Sequence, residues 1–185
     1  MLKILDTTLR EGEQTPGVYF DTHIKIAIAD LLNEIGIDII EAGHPVVSQD
    51  INDAITKLCN KNYNSLIGAH SRSIITDIDM ALNCGVGFIG IFYCVSNQRL
   101  NEVFNTNIDN AISKITNTIK YAKQKNPKLK IRFTPEDTVR SNFDNVVKAS
   151  VAAVNAGADI ISIADTTGHM IPGSKNNMFD YVKKL

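Results

Sequence analysis

The chain has 185 residues, 44% of them apolar, with 19 basic against 20 acidic side chains and a formal charge of −1. That length and balance suit a single globular domain over residues 1–185 with one buried core, and exclude a disordered chain. Neither sign of charge runs in a long block, so the sequence carries no footprint for nucleic acid or an anionic membrane, and a small-molecule partner is expected by elimination.

In chain order, short apolar and β-branched runs recur as "LKIL", "IDIIEA", "SLIGA", "FIGIFYCV", "LKIRF" and "DIISIA". Near-continuous runs of this kind are what parallel strands covered on both faces need. After the first run, Ile24, Ala27, Ile28, Leu31, Leu32 and Ile35 fall on one helical stripe, with Thr22 as the expected N-cap and Gly36 as the stop. Weaker helical patterns cover 50–61 and 74–84. A strong one carries Ile108, Ala111, Ile112, Ile115, Ile119 and Ala122, with Pro127 just beyond its lysine-rich end. The next opens at Ser141 with Asp144 three residues on, resembling a capping box, and runs through Val147, Val151 and Val154 to Gly157. A last weak pattern covers 174–185.

Strands that alternate with helices, without a glycine-rich dinucleotide fingerprint, leave two α/β architectures open: a (β/α)8 TIM barrel or an open doubly wound sheet. The count is about six strand–helix units, whereas a closed barrel needs eight and typically ~250 residues. Met1 leads into an apolar strand within a few residues, so no leader peptide is expected, and no apolar run reaches the ~18 residues that span a bilayer. A cytoplasmic location is expected. Cys59, Cys84 and Cys94 are widely spaced and odd in number, as suits inert thiols in a reducing compartment.

Polar residues stand where the apolar runs stop. Asp6 and Arg10 to Gln14 follow the first, Glu41 ends the second, His70 the third, Ser96 the fourth, Glu136 the fifth, and Asp165 with Thr166 the sixth. In a parallel barrel these carboxyl ends gather on the face where active sites are built. Arg132, Thr134 and Glu136 are spaced by two, so a regular strand sends all three to one side as an anion-binding wall. An exposed ion pair is the ordinary use of Arg10 beside Glu11, and a hydrogen-bonded structural histidine the ordinary use of His70. His23 reads as helix surface, whereas His44 and His169 lie in loops after strand ends.

"LDTTLREGEQTPGV", "IDIIEAGHPVVS", "IRFTPEDTVRS" and "IADTTGHMIP" resemble, in order, the signature blocks of the metal-dependent Claisen-condensing synthases that make homocitrate, 2-isopropylmalate and citramalate. The resemblance implies an incomplete TIM barrel, a divalent metal (Mg, Mn or Zn), and condensation of acetyl-CoA with a 2-oxo acid. It implies that Arg10 polarises the keto group, that Glu11 is a metal ligand, and that Gln14 shares their pocket. Arg10 and Glu136 are the candidate catalytic residues. Gln14, Glu41, His70, Arg132, Thr134 and Thr166 are the candidate substrate-binding residues.

Relatives take further metal ligands from a His-x-His pair on a later strand, and this sequence contains no His-x-His. The chain is therefore expected to lack the last barrel units, and to work as a homo-oligomer or with a partner that supplies them. The version "IRFTPEDTVRS" resembles that of homocitrate synthases, where an arginine, a hydroxyl and a histidine matching Arg132, Thr134 and His70 hold the distal carboxylate of 2-oxoglutarate. Gly90 stands where such enzymes often carry an acid. 2-Isopropylmalate or citramalate formation, an inactive interaction subunit, and a lyase or aldolase on the same fold are the alternatives.

Overall fold

The structure is a computed structural model that describes residues 2–185. Its six strands are β1 (Leu5–Asp6), β2 (Ile39–Glu41), β3 (Leu66–Arg72), β4 (Phe88–Cys94), β5 (Lys130–Glu136) and β6 (Ile160–Ile161). They alternate with α1 (Thr22–Glu34), α2 (Gln49–Cys59), α3 (Ile75–Asn83), α4 (Ile108–Lys125) and α5 (Phe143–Ala156), and α6 (Met178–Lys184) follows β6. All six strands form one sheet in the order of the sequence. The pairings of β1 with β2, β2 with β3 and β5 with β6 are parallel. A doubly wound sheet reverses its strand order at a switch point, and this one never does. The architecture is an incomplete (β/α)8 barrel.

The chain divides into two compact units, one running up to Gly90 together with Asn126–Lys130, the other made of Ile91–Lys125 and Ile131–Leu185. In the first, Leu9, Ile40, Ile55, Leu58, Ile78 and Phe88 are buried; in the second, Ile115, Ile119, Ile131, Phe133 and Val146 are. Among the described residues, no helix is long and apolar enough to cross a membrane.

Two helical stripes differ from the sequence pattern. On α1, Ile24, Leu31 and Ile35 are exposed and the buried residues are Lys25 and Ala29. The reason is the sheet order: β1 is an edge strand, and the main helix contact of α1 is with α2. On α5, Val151 and Val154 face out while Asn145, Val146, Ala149, Ser150 and Ala153 are buried. Small side chains let α5 approach α4 closely, and Asn145 spends its amide on the Val95 carbonyl at 2.9 Å and on Asn97 at 2.8 Å. On α4 the predicted stripe is the buried one, with Ala111, Ile115, Ile119 and Ala122 inside.

The caps lie one residue away from expectation. Asp21, not Thr22, caps α1 by accepting the Ile24 N–H at 2.8 Å. Asn142, not Ser141, caps α5 by accepting from Asp144 and Asn145, while the Ser141 hydroxyl donates back to the Asp137 carbonyl. Gly36 and Gly157 end the two helices at φ +85° and +112°, as the sequence implied. Asp21→Ala is expected to lower stability by about 1 kcal/mol in urea unfolding followed by circular dichroism, and Thr22→Ala by less than about 0.5 kcal/mol.

Candidate active site

The turn after β1 is built to present Arg10. The Asp6 carboxylate accepts the Thr8 backbone N–H at 2.8 Å and its hydroxyl at 3.2 Å, and the Arg10 and Glu11 N–H groups both close on the Thr7 carbonyl. Leu9, with no solvent exposure, pins the turn to the core, so the next side chain emerges at a fixed place. Arg10 Nε then donates to Glu41 Oε2 at 2.7 Å, and another of its nitrogens pairs with the Glu11 carboxylate.

Glu41 ends β2 and is entirely buried. Its second oxygen, Oε1, lies 3.3 Å from His70 Nδ1 on β3. Parallel register explains the meeting, since Glu41 is paired with Gly68 and His70 lies two residues on, on the same face of its strand. Beyond β2 the chain keeps following β3, with Ala42 N–H on the Gly68 carbonyl and His70 N–H on that of Gly43. Gly43 has φ +147°, and a Cβ there would come within 3.0 Å of Ile51, so only glycine fits this bend. The bend delivers His44, whose ring meets that of His70 edge-on at 4.9 Å between centroids.

The sequence-predicted residues Arg10, Glu11, Glu41 and His70 are thus joined by direct contacts, and Gln14 stands exposed at the end of the same turn. Both oxygens of Glu41 face protein partners, which makes it the group that orients Arg10 and His70. Among the described residues, no group of three or more His, Cys, Asp and Glu side chains is arranged to hold a metal ion. Glu11 offers one hard oxygen donor, short of a divalent site, so the donors present do not fit a complete metal centre.

In the second unit, Arg132, Thr134 and Glu136 alternate along β5 with the buried Ile131 and Phe133. Thr134 is buried, and its hydroxyl finds no hydrogen-bond partner among the described residues. The turn after β5 places Asp137 at φ +55°, where its carboxylate grips Arg140 with two bonds of 2.8 Å. The Asp137 N–H donates to the Thr166 hydroxyl at 3.2 Å, which leaves that hydroxyl's own proton to donate elsewhere. Asp165 spends its carboxylate on the N–H groups of His169 and Met170, and Thr138, fully buried, accepts from Ala164 N–H at 3.0 Å. These bonds lock the loops after β5 and β6 together.

Sequence reasoning missed Lys25, Glu13, Asn145 and Thr138. The available signal for Lys25 was a lone lysine four residues before Ala29 on the inner face of α1. For Thr138 there was none, because its partners lie on β5 and after β6.

With the geometry in place, comparison with known proteins gives the family. The model of the HMGL-like family matches residues 1–185. The chain belongs to the HMGL-like family. This HMGL-like chain is similar to the homocitrate synthase of Pyrococcus abyssi, at 45% identity over 182 residues that cover 98% of this chain and 49% of the relative. It is similar also to the homocitrate synthase of Saccharolobus islandicus, at 43% identity over 180 residues, 95% of this chain and 39% of the relative. Among solved structures, the HMG-CoA lyase of Bacillus subtilis superposes with a TM-score of 0.76 at 20% identity, covering 92% of this chain and 60% of that one, a likeness of fold. The chain spans about half the length of the curated relatives it matches.

One ionisable group of the site has a pH signature. The His44 imidazole is pushed down to about 4, first by burial and then by the positive charges of His70 and Arg10, with Glu41 opposing. An unfolded His44 takes its proton near 6.5, so between that pH and about 4 the unfolded chain binds more protons than the folded one. The stability His44 contributes is complete above the upper value and lost as pH falls through the window. Moving from about pH 7 to about pH 5 is expected to cost wild type about 1–2 kcal/mol more than His44→Gln in urea unfolding, allowing for partial exposure of the ring.

Proposed function

We propose that this HMGL-like chain carries part of the active site of an acyltransferase that condenses acetyl-CoA with a 2-oxo acid, with 2-oxoglutarate as the favoured acceptor and homocitrate as its product. The observation that carries the reading is Arg10, held at the end of β1 by a fully buried carboxylate, in a chain 45% identical to a homocitrate synthase. The acetyl methyl carbon loses a proton and bonds to the keto carbon, the keto oxygen becomes a hydroxyl, and water cleaves the thioester to release CoA.

That carbon–carbon bond builds negative charge on the former keto oxygen. A guanidinium that is already oriented stabilises this charge without having to reorganise when it appears. Glu41 supplies the orientation by fixing Nε, which leaves the outer edge of Arg10 to meet the oxygen and Glu11. A carboxylate at the far end of the acceptor calls for a charged, hydrogen-bonding partner, and Arg132 with the buried Thr134 hydroxyl suits it. The proton that the Thr166 hydroxyl has left to donate suits the acceptor's other carboxylate. Gln14 and His70 are further proposed substrate-binding residues, and Glu136 a proposed catalytic one. A divalent metal would need donors beyond those assembled among the described residues. Work in the cytoplasm, as a homo-oligomer or beside a partner chain, is part of the same proposal.

The test is release of thiol from acetyl-CoA by the purified protein, supplied in turn with 2-oxoglutarate, 2-oxoisovalerate and pyruvate in the presence of Mg or Mn. Release fastest with 2-oxoglutarate is expected, and no release with any of the three would overturn the proposal. Arg132→Ala should lower kcat/KM for 2-oxoglutarate by about 100-fold and for 2-oxoisovalerate by less than about 5-fold, because only the former presents a charge to the arginine. Equal losses on both would remove Arg132 as the selector.

A further inference from the structure

A lysine that takes no part in the chemistry proposed above lies directly behind it. Lys25 is 1% exposed, on the inner face of α1, where an ammonium is costly unless every proton is used. Its three protons have three acceptors: Glu13 Oε2 at 2.7 Å, the Leu9 carbonyl at 2.9 Å and, more loosely, the Ala42 carbonyl at 3.4 Å. Leu9 immediately precedes Arg10, and Ala42 immediately follows Glu41. This buried ammonium therefore holds the backbone on both sides of the Arg10–Glu41 pair. Its carboxylate partner is tied in turn, for Glu13 Oε1 accepts the Phe20 N–H at 3.2 Å and so closes the loop that starts at Arg10 and leads into α1.

Simple packing does not need this arrangement, because an apolar side chain of similar length would fill the same space without a desolvated charge. What the ammonium adds is a fixed distance between two strand ends. We propose that Lys25 is a positioning residue: it sets where Arg10 stands relative to Glu41, acting through Leu9, Glu13 and Ala42 and never touching substrate. The inference rests on the reading of Arg10 as the group that meets the keto oxygen, but the placement of the guanidinium can be measured without turnover.

The experiment follows solvent exchange of the arginine Nε–H protons by nuclear magnetic resonance in the full chain, with the Arg10 signal identified by its loss in Arg10→Lys. The Arg72 Nε–H, 2.8 Å from Asp77 Oδ2 and bonded to none of the groups that Lys25 holds, is the internal reference. In Lys25→Met the Arg10 proton is expected to exchange about tenfold faster while that of Arg72 changes less than about twofold. Glu13→Gln keeps both carbonyl bonds and weakens only the third, so it is expected to give a smaller rise at Arg10 alone, and it decides the matter if Lys25→Met does not fold. Unchanged exchange at Arg10, or equal acceleration at Arg10 and Arg72, overturns the proposal. Thiol release measured on the same wild-type sample separates the two readings: a silent enzyme with a Lys25-dependent Arg10 defeats the activity alone, and an active enzyme whose Arg10 ignores Lys25 defeats the positioning role alone.

Discussion

A carboxylate with no solvent exposure, Glu41, shared between Arg10 and His70, is the constraint on which the first half of this chain depends. Removing a carboxylate from water costs several kcal/mol, and the cost is offset only if cationic or hydrogen-bonding partners meet it in good geometry. Those partners come from the turn after β1 and from β3, on either side of the strand that carries Glu41, so the ends of β1, β2 and β3 must arrive in register. The parallel pairings of Asp6 with Ile40 and Glu41 with Gly68 provide that register. The bend at Gly43, the buried Leu9 and the Lys25 ammonium then fix the connecting turns.

Much of the fold was legible because parallel strands announce themselves. Each of the six apolar runs overlaps a strand, and the gap before each of the last five holds a helix. β1 and β6 are only two residues long, since each ends the sheet and has a neighbour on one side. The choice between barrel and doubly wound sheet was not legible in the periodicity, which describes single elements and not their pairing; it came from the resemblance of the signature blocks, and the strand order agrees with it. The misplaced stripes of α1 and α5 have a related cause. Periodicity weights large apolar residues, whereas these helices bury Lys25, Asn145 and alanines while Ile24, Leu31, Ile35, Val151 and Val154 stand exposed.

The site was legible at its strand ends and illegible behind them. A polar residue that stops an apolar run stands out, as Arg10, Glu41, His70, Arg132 and Thr166 did. The groups that hold such residues make bonds across tens of positions: Lys25 to Ala42, Asn145 to Val95, Ala164 to Thr138. No local pattern encodes those pairings. Nor did the pattern around Glu41 distinguish a residue that touches substrate from one whose two oxygens are engaged by protein.

This division of labour gives the account its central claim, that Glu41 holds Arg10 ready for the oxygen on which charge develops. The most direct test is a crystal structure of the protein with 2-oxoglutarate bound. The keto oxygen is expected within hydrogen-bond reach of Arg10 while Nε stays on a buried Glu41. An oxo acid bound away from Arg10, or an Arg10 that leaves Glu41 to reach it, would contradict the claim.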